Sequence, residues 1–284
     1  MQITKLTTVD AFVVVDLPDA AAATGVVRCA RKILQDGATA LARSITYSYA
    51  SFGIATSGAS AGINAEGDGR DDAVAAFVSE LAPKVVDGSL TLAPAKGVTA
   101  ADLAAWGATV DPHTDALAAG VVAAAATTVA LDSALVAVEA GSPGADAVTA
   151  AFAAAGSDAR TLPLAELLAS GAAVAVLGSK PGVLDHENVG ALGGATIVGS
   201  AGQIITARGL AVAGRNGATV LPDFVTAAGP LLAAAGEADV AGRVTEALTP
   251  VLTHSEGAYL GACYAAEDFL RTWAAELPFG RPLA

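Results

Sequence analysis

A two-domain α/β fold is predicted by three features of the 284-residue sequence: short apolar strand-like runs alternate with helical stretches, glycine and proline punctuate them, and the hydrophobic fraction reaches 54%. That much apolar material is enough for two cores. The opening segment MQITKLTTVDAFVVVDL holds a short apolar run enclosed by acids with no cleavage signature, so it is expected to be a first strand rather than a signal peptide. Strands over 12–16 and 54–63 are expected to flank a helix over 26–49. In the second half, strands near 134–138, 173–177, 196–198 and 218–221 alternate with helices such as 145–155, which predicts a parallel, doubly wound sheet. A ligand cleft in such a sheet lies at the carboxyl ends of the strands. A final helix is expected over 258–276.

Charge and apolar patterning narrow the possible partners. The formal net charge is −13, and no basic stripe is present to meet a phosphate backbone, so nucleic acid is not expected. The apolar run 116–131 is short and alanine-rich, and the uncharged stretch 188–207 is broken by glycines and a glutamine, so neither is expected to cross a membrane. The expected location is cytoplasmic. Cys29 and Cys263 are too isolated for a disulfide framework or a metal cluster, and His186 and His254 lack carboxylates at metal-ligand spacing. Neither metal nor cofactor is expected.

The segment 45–63, ITYSYASFGIATSGASAGI, resembles the substrate-binding motif of the glutamate/leucine/phenylalanine/valine dehydrogenase family, roughly M-T-Y-K-N-A-A-A-G-L-x-x-G-G-G-K-x-x-I. Ile45, Thr46, Tyr47, Gly53, Ile54, Gly58 and Ile63 match. The positions of the two family lysines, one for the substrate carboxylate and one for acid/base work, fall on Ser48 and Ser60. The turn 92–97 is similar to the family's T-A-E-D-V-G, with Ala95 at the catalytic aspartate and Lys96 read as a solvated turn residue. Asp111-Pro112-His113-Thr114 is similar to D-P-S-P, with His113 at the serine. In place of the glycine-rich fingerprint G-x-G-x-x-G/A, the chain has Ala140-Gly141-Ser142-Pro143-Gly144-Ala145, where side chains and a proline disturb the pyrophosphate turn. Two further segments, 199–203 and 222–229, are similar to G-S-A-N-N-Q and P-D-Y-V-I-N-A-G-G, with Gly202 and Ala227 at asparagine positions.

The resemblance implies a substrate and dimerisation domain over 1–117, a degenerate Rossmann-like domain over 118–255, a segment 256–284 packing back on the first domain, and a homodimer. With the charged anchors replaced, the expected ligand is a small, weakly charged, apolar molecule. The favoured reading is a cofactor-independent hydratase, dehydratase or isomerase. Its candidate catalytic residues are His113, flanked by Asp111 and Asp115, with the hydroxyls of Tyr47, Ser48 and Ser60; Tyr49, Thr56, Ser57, Ala95, Gly202 and Ala227 are the candidate substrate contacts. Asp111 could instead cap a helix at Pro112 and leave His113 merely exposed. Two other readings stay open: an NAD(P)-dependent amino-acid dehydrogenase with unusual catalytic groups, and a non-catalytic binding or regulatory relative.

Overall fold

The computed structural model describes residues 1–107 and 113–284, so Asp111 and Pro112 lie outside the described residues. The chain forms two compact units, Met1–Asp111 with Phe269–Arg281, and Pro112–Asp268 with Pro282–Ala284.

The first unit holds strands β1 (Gln2–Lys5), β2 (Ala11–Val15) and β3 (Ala23–Ala30), helix α1 (Gln35–Ser51), strand β4 (Ser57–Asn64), helix α2 (Arg70–Val86) and strand β5 (Leu90–Pro94). They make a five-stranded sheet in the order β1-β2-β4-β3-β5. One face packs Val13, Val27, Ala61, Ile63 and Leu92 against Phe77 and Leu81 of α2. The other packs Phe12 and Val14 against Ala38 and Ala42 of α1. The helix expected over 26–49 is thus a strand followed by a shorter helix. ATGVVRCA alternates buried and half-buried residues with period two and contains the β-branched pair Val26–Val27, which suits a pleated strand better than a helix.

Two strand glycines are required by close approach of neighbours on the α1 face of the sheet. A Cβ on Gly58 would stand 1.8 Å from the Ala42 carbonyl oxygen and 2.7 Å from the Thr46 nitrogen, and one on Gly62 would stand 2.7 Å from Ile33. The Gly58 amide donates to Thr46 Oγ1 at 2.8 Å, so helix and strand are also joined by a hydrogen bond.

The second unit runs α3 (Thr114–Ala126), β6 (Leu135–Glu139), α4 (Ala145–Ala154), β7 (Asp158–Leu162), α5 (Leu164–Ala169), β8 (Val174–Leu177), β9 (Thr196–Gly199), α6 (Ala207–Arg215), β10 (Thr219–Val220), α7 (Asp223–Thr226), α8 (Gly229–Ala234), α9 (Val240–Leu248) and α10 (Ala258–Leu270). All its strand pairs are parallel, in the order β10-β9-β8-β6-β7. Residues 136–138 of β6 and all of β8 and β9 are buried on successive positions, as expected of a sheet covered on both faces.

A domain boundary at 117/118 would cut α3, whose buried Leu117, Val121 and Ala124 belong to one continuous apolar stripe; the units divide before it. Most of α10 also belongs to the second unit, held by Tyr259 against Phe224 with ring centroids 5.5 Å apart. From Phe269 to Arg281 the chain belongs to the first unit, where the Gly280 carbonyl accepts from the Tyr47 hydroxyl at 3.5 Å.

Candidate functional site

The first unit leaves one strip of its sheet incompletely covered on the α1 face. Parallel register pairs Thr24 with Thr91 and Val26 with Ala93, and pairs Val26 with Ser60 on the other side. Thr24, Val26, Arg28 and Ala93 are half-buried and Thr91 is exposed, whereas the intervening residues on β3 and β5 are core. Arg28 Nη2 donates to Ser60 Oγ at 3.3 Å, while its Nε is buried without a hydrogen-bond partner. Among the described residues no acid pairs with it, and burial pulls the guanidinium below its ordinary pKa. A partly desolvated cation without a counter-ion is a costly arrangement that an anionic ligand would relieve. Sequence reasoning missed Arg28. Its signal, a lone arginine in a period-two apolar strand, was hidden by reading the segment as helix.

Several predicted hydroxyls are committed elsewhere. Ser48 Oγ donates to the Ser44 carbonyl at 3.0 Å, a bond internal to α1. Ser57 Oγ accepts from the Leu17 amide at 2.9 Å and donates to the Gly58 carbonyl. Tyr47 is buried with its hydroxyl on Gly280. Tyr49 meets the Thr24 hydroxyl, and burial pushes its phenol pKa up. Thr56 and Ala95 are half-buried, at the entry to β4 and in the turn after β5, and Lys96 is exposed as expected. Of the proposed groups in this unit, the structure brings Ser60 together with Arg28 and Tyr49 together with Thr24. Deeper in the unit, Arg43 Nη2 lies 3.4 Å from Asp16 Oδ1, a buried pair that ties α1 to the end of β2.

In the second unit the strand order reverses direction between β6 and β8, which makes their carboxyl ends the place where such sheets open a ligand crevice. Here a protein carboxylate takes the donors at its mouth. Glu139, the last residue of β6, is 2% exposed. Its Oε2 accepts from the amides of Gly178 and Ser179, at 3.0 and 3.1 Å, and from Ser142 Oγ at 3.1 Å. Its Oε1 accepts from Ser179 Oγ. Donors on both sides of the crevice are therefore already spent on an anion belonging to the chain.

The adjoining β6–α4 turn is hostile to a second anion. An open concavity of about 610 Å³ is lined there by Thr114, Gly141, Asp146 and Thr161 among others. Asp146 sits exposed in the first turn of α4, where a phosphate would otherwise meet the positive end of the helix. The strand β7 ends in Thr161 and Leu162, and Thr161 is hydrogen-bonded to Thr149 at 2.8 Å, so no acid follows it to take a ribose hydroxyl. These residues do not fit a dinucleotide pyrophosphate.

His113 precedes α3 and is half-buried, with φ 47°, a left-handed conformation costly for a side-chain-bearing residue. Asp115 is exposed in the first turn of α3. A Cβ on Gly144 would stand 3.2 Å from the Thr114 methyl, so the start of α3 lies beside the β6–α4 turn. Gly202 is half-buried and precedes Gln203, which has φ 65° and a buried Nε2 without a partner. Ala227 is half-buried at the end of α7. His186 is exposed in a loop where Asp185 Oδ1 accepts from the amides of Glu187 and Asn188. His254 Nδ1 accepts the Glu256 amide at 3.2 Å, and Ser255 does not cap the last helix, which starts at Ala258. Among the described residues no cluster of His, Cys, Asp and Glu could hold a metal ion, and no helix is long and apolar enough to cross a membrane.

No protein-family model and no curated protein matches the sequence. Among solved structures the chain is similar to L-tryptophan dehydrogenase from Nostoc punctiforme, with TM-score 0.73 and 16% identity over 95% of this chain and 94% of that one. It is also similar to the hetero-hexameric glutamate dehydrogenase from Thermus thermophilus in its Leu-bound form, with TM-score 0.74 and 19% identity over 94% and 86% of the two chains. Glutamate dehydrogenase from Plasmodium falciparum gives TM-score 0.73 and 12% identity over 92% and 79%. The fold is that of the amino-acid dehydrogenases, carried by a strongly divergent sequence.

Proposed function

We propose that the chain is a cofactor-independent enzyme of lyase or isomerase type, adding or removing water or shifting a double bond in a small, mostly apolar substrate that bears one anionic group. The observation that carries the non-redox part is Glu139, which takes with its own charge the donors at the mouth of the crevice where this fold would otherwise receive a pyrophosphate. Arg28 supports the anionic group, because it is a half-buried cation with no acid paired to it among the described residues. This revises the expectation of a pocket stripped of charged anchors. In this reading the Arg28 guanidinium, oriented by Ser60, holds a substrate carboxylate in the first unit, and the proton-transfer group is the one chosen from the sequence, His113, with Asp111 and Asp115 two residues to either side of it in the chain. Tyr49 and Thr24 supply hydroxyls, whereas Ser48 and Ser57, tied to backbone, hold structure.

Incubation with a panel of small hydroxy, enoic and amino acids, followed by proton NMR without added nucleotide, tests the proposal. At least one acid is expected to be converted, and Arg28→Leu is expected to raise KM by about tenfold or more through loss of the charge-assisted contact. Conversion of amino acids only after addition of NAD or NADP would reverse the reading in favour of a dehydrogenase. Binding without conversion of any acid would favour the binding relative.

The proposal includes a homodimer formed through the first unit. β1 is an edge strand with Ile3 42% exposed, an arrangement that invites pairing or cover. Sedimentation at micromolar protein is expected to give a dimer; a monomer there would remove this part of the proposal.

A further inference from the structure

Asp223, which opens α7 directly after Pro222, is a fully buried carboxyl outside the residues assigned above. Its Oδ2 accepts the Ile204 amide at 2.8 Å, and its Oδ1 lies 3.0 Å from the Tyr259 hydroxyl. The same hydroxyl lies 2.8 Å from the Pro282 carbonyl oxygen. A phenol has one proton to donate and a carbonyl can only accept. With that one proton, both contacts are full hydrogen bonds when Asp223 is protonated on Oδ1 and donates to Tyr259, which then donates to Pro282; an ionised Asp223 must share the phenol proton with the carbonyl. That sharing leaves the Pro282 carbonyl partly unsatisfied in a buried place, at a cost in stability.

We propose that Asp223, Tyr259 and Pro282 form a proton-operated latch, in which neutral Asp223 holds the segment 282–284 against the loop 203–206 and loss of its proton releases that segment. The docked segment is anchored by a second contact that depends on the first: the Ala284 amide donates to the Ile205 carbonyl at 3.1 Å. Burial pushes the Asp223 carboxyl up to about 7, against the Ile204 amide, the Tyr259 hydroxyl and the amides of Phe224 and Gln203, all of which favour the ionised form. Among the described residues the titratable group facing it is Tyr259; the buried thiol Cys263, one turn along α10, acts on the phenol. Neither is a cation that would hold Asp223 ionised. The latch also reaches Gln203, whose left-handed backbone and unpaired Nε2 adjoin the Ile204 amide that Asp223 holds.

A carboxyl raised above its unfolded value of 3.8 contributes stability that is complete below about pH 4 and is lost as the pH rises toward about 7. In the folded protein the latch itself titrates near pH 7. Hydrogen exchange of the full chain from pH 5 to 9, corrected for intrinsic rates, reads it at the Ala284 amide. Protection at Ala284 is expected to fall about fivefold to tenfold across neutrality while protection of the β9 core amides stays constant. Asp223→Asn keeps a permanent donor to Tyr259 and is expected to give a flat, protected profile; Tyr259→Phe is expected to give a flat, unprotected one. Wild-type protection independent of pH would overturn the latch, and so would the same pH-dependent loss in Asp223→Asn. If the asparagine variant fails to fold, the wild-type profile alone decides.

Discussion

Replacement of His113 by alanine is expected to lower turnover of the substrate by about a hundredfold or more, the usual consequence of removing a general acid or base. His113 has the left-handed φ of 47° at the start of α3, so alanine there carries strain of its own, on the order of 1 kcal/mol. His113→Asn separates the two effects, because asparagine tolerates the left-handed region and hydrogen-bonds but does not transfer a proton near neutral pH. Both variants should fold, and both should lose the same factor in kcat. An alanine variant with parental turnover would move the chemistry to the hydroxyls of Tyr49, Thr24 and Ser60. A full rate in the asparagine variant beside a slow alanine variant would make His113 a backbone device.

Gly58→Val is expected to be among the most damaging single substitutions in the first unit, lowering stability by about 3 kcal/mol or more. The added Cβ would fall 1.8 Å from the Ala42 carbonyl oxygen, and backbone atoms of α1 cannot step aside without giving up the helix contact over β4. The same displacement breaks the bond from the Gly58 amide to Thr46. Gly37→Ala is the matched control: its Cβ would meet nothing within 4 Å, and helix propensity predicts a gain of up to about 1 kcal/mol. Urea unfolding of the two variants should move in opposite directions, and a Gly58→Val protein as stable as the parent would mean that α1 does not rest on β4.

The sequence reports the second unit more faithfully than the first, and the reason is strand burial. β6, β8 and β9 are covered on both faces, so they read as short unbroken apolar runs between glycine-rich turns. β3 shows one face to the core and the other to the strip beside α1, and its half-polar pattern merges with the helix that follows. β5 is short and ends in the turn around Lys96, so its pairing with β3 depends on long-range contacts that no local pattern encodes. At the candidate site, Ser48, Ser60 and Ala95 stand out in the sequence against the motif it resembles, but Arg28 and Glu139 do not. Arg28 reaches Ser60 through strand register, from a position 32 residues away in the chain. Glu139 meets Ser179 across 40 residues, because neighbouring parallel strands bring their ends together only in the folded sheet. Tyr259 and Asp223 meet in the same way.

The capture by Glu139 of the donors at the β6–β8 crevice is most directly tested by titrating the purified protein with NAD, NADH, NADP and NADPH while following its thermal unfolding. Binding to the folded state must raise apparent stability by mass action, so a ligand present at a hundred times its Kd adds about 2.7 kcal/mol. With Glu139 and Asp146 in place, no shift in Tm is expected at about millimolar nucleotide. A clear rise in Tm with any of the four, lost when the β6–α4 turn is altered at Gly141, would contradict the account and return the chain to nicotinamide chemistry.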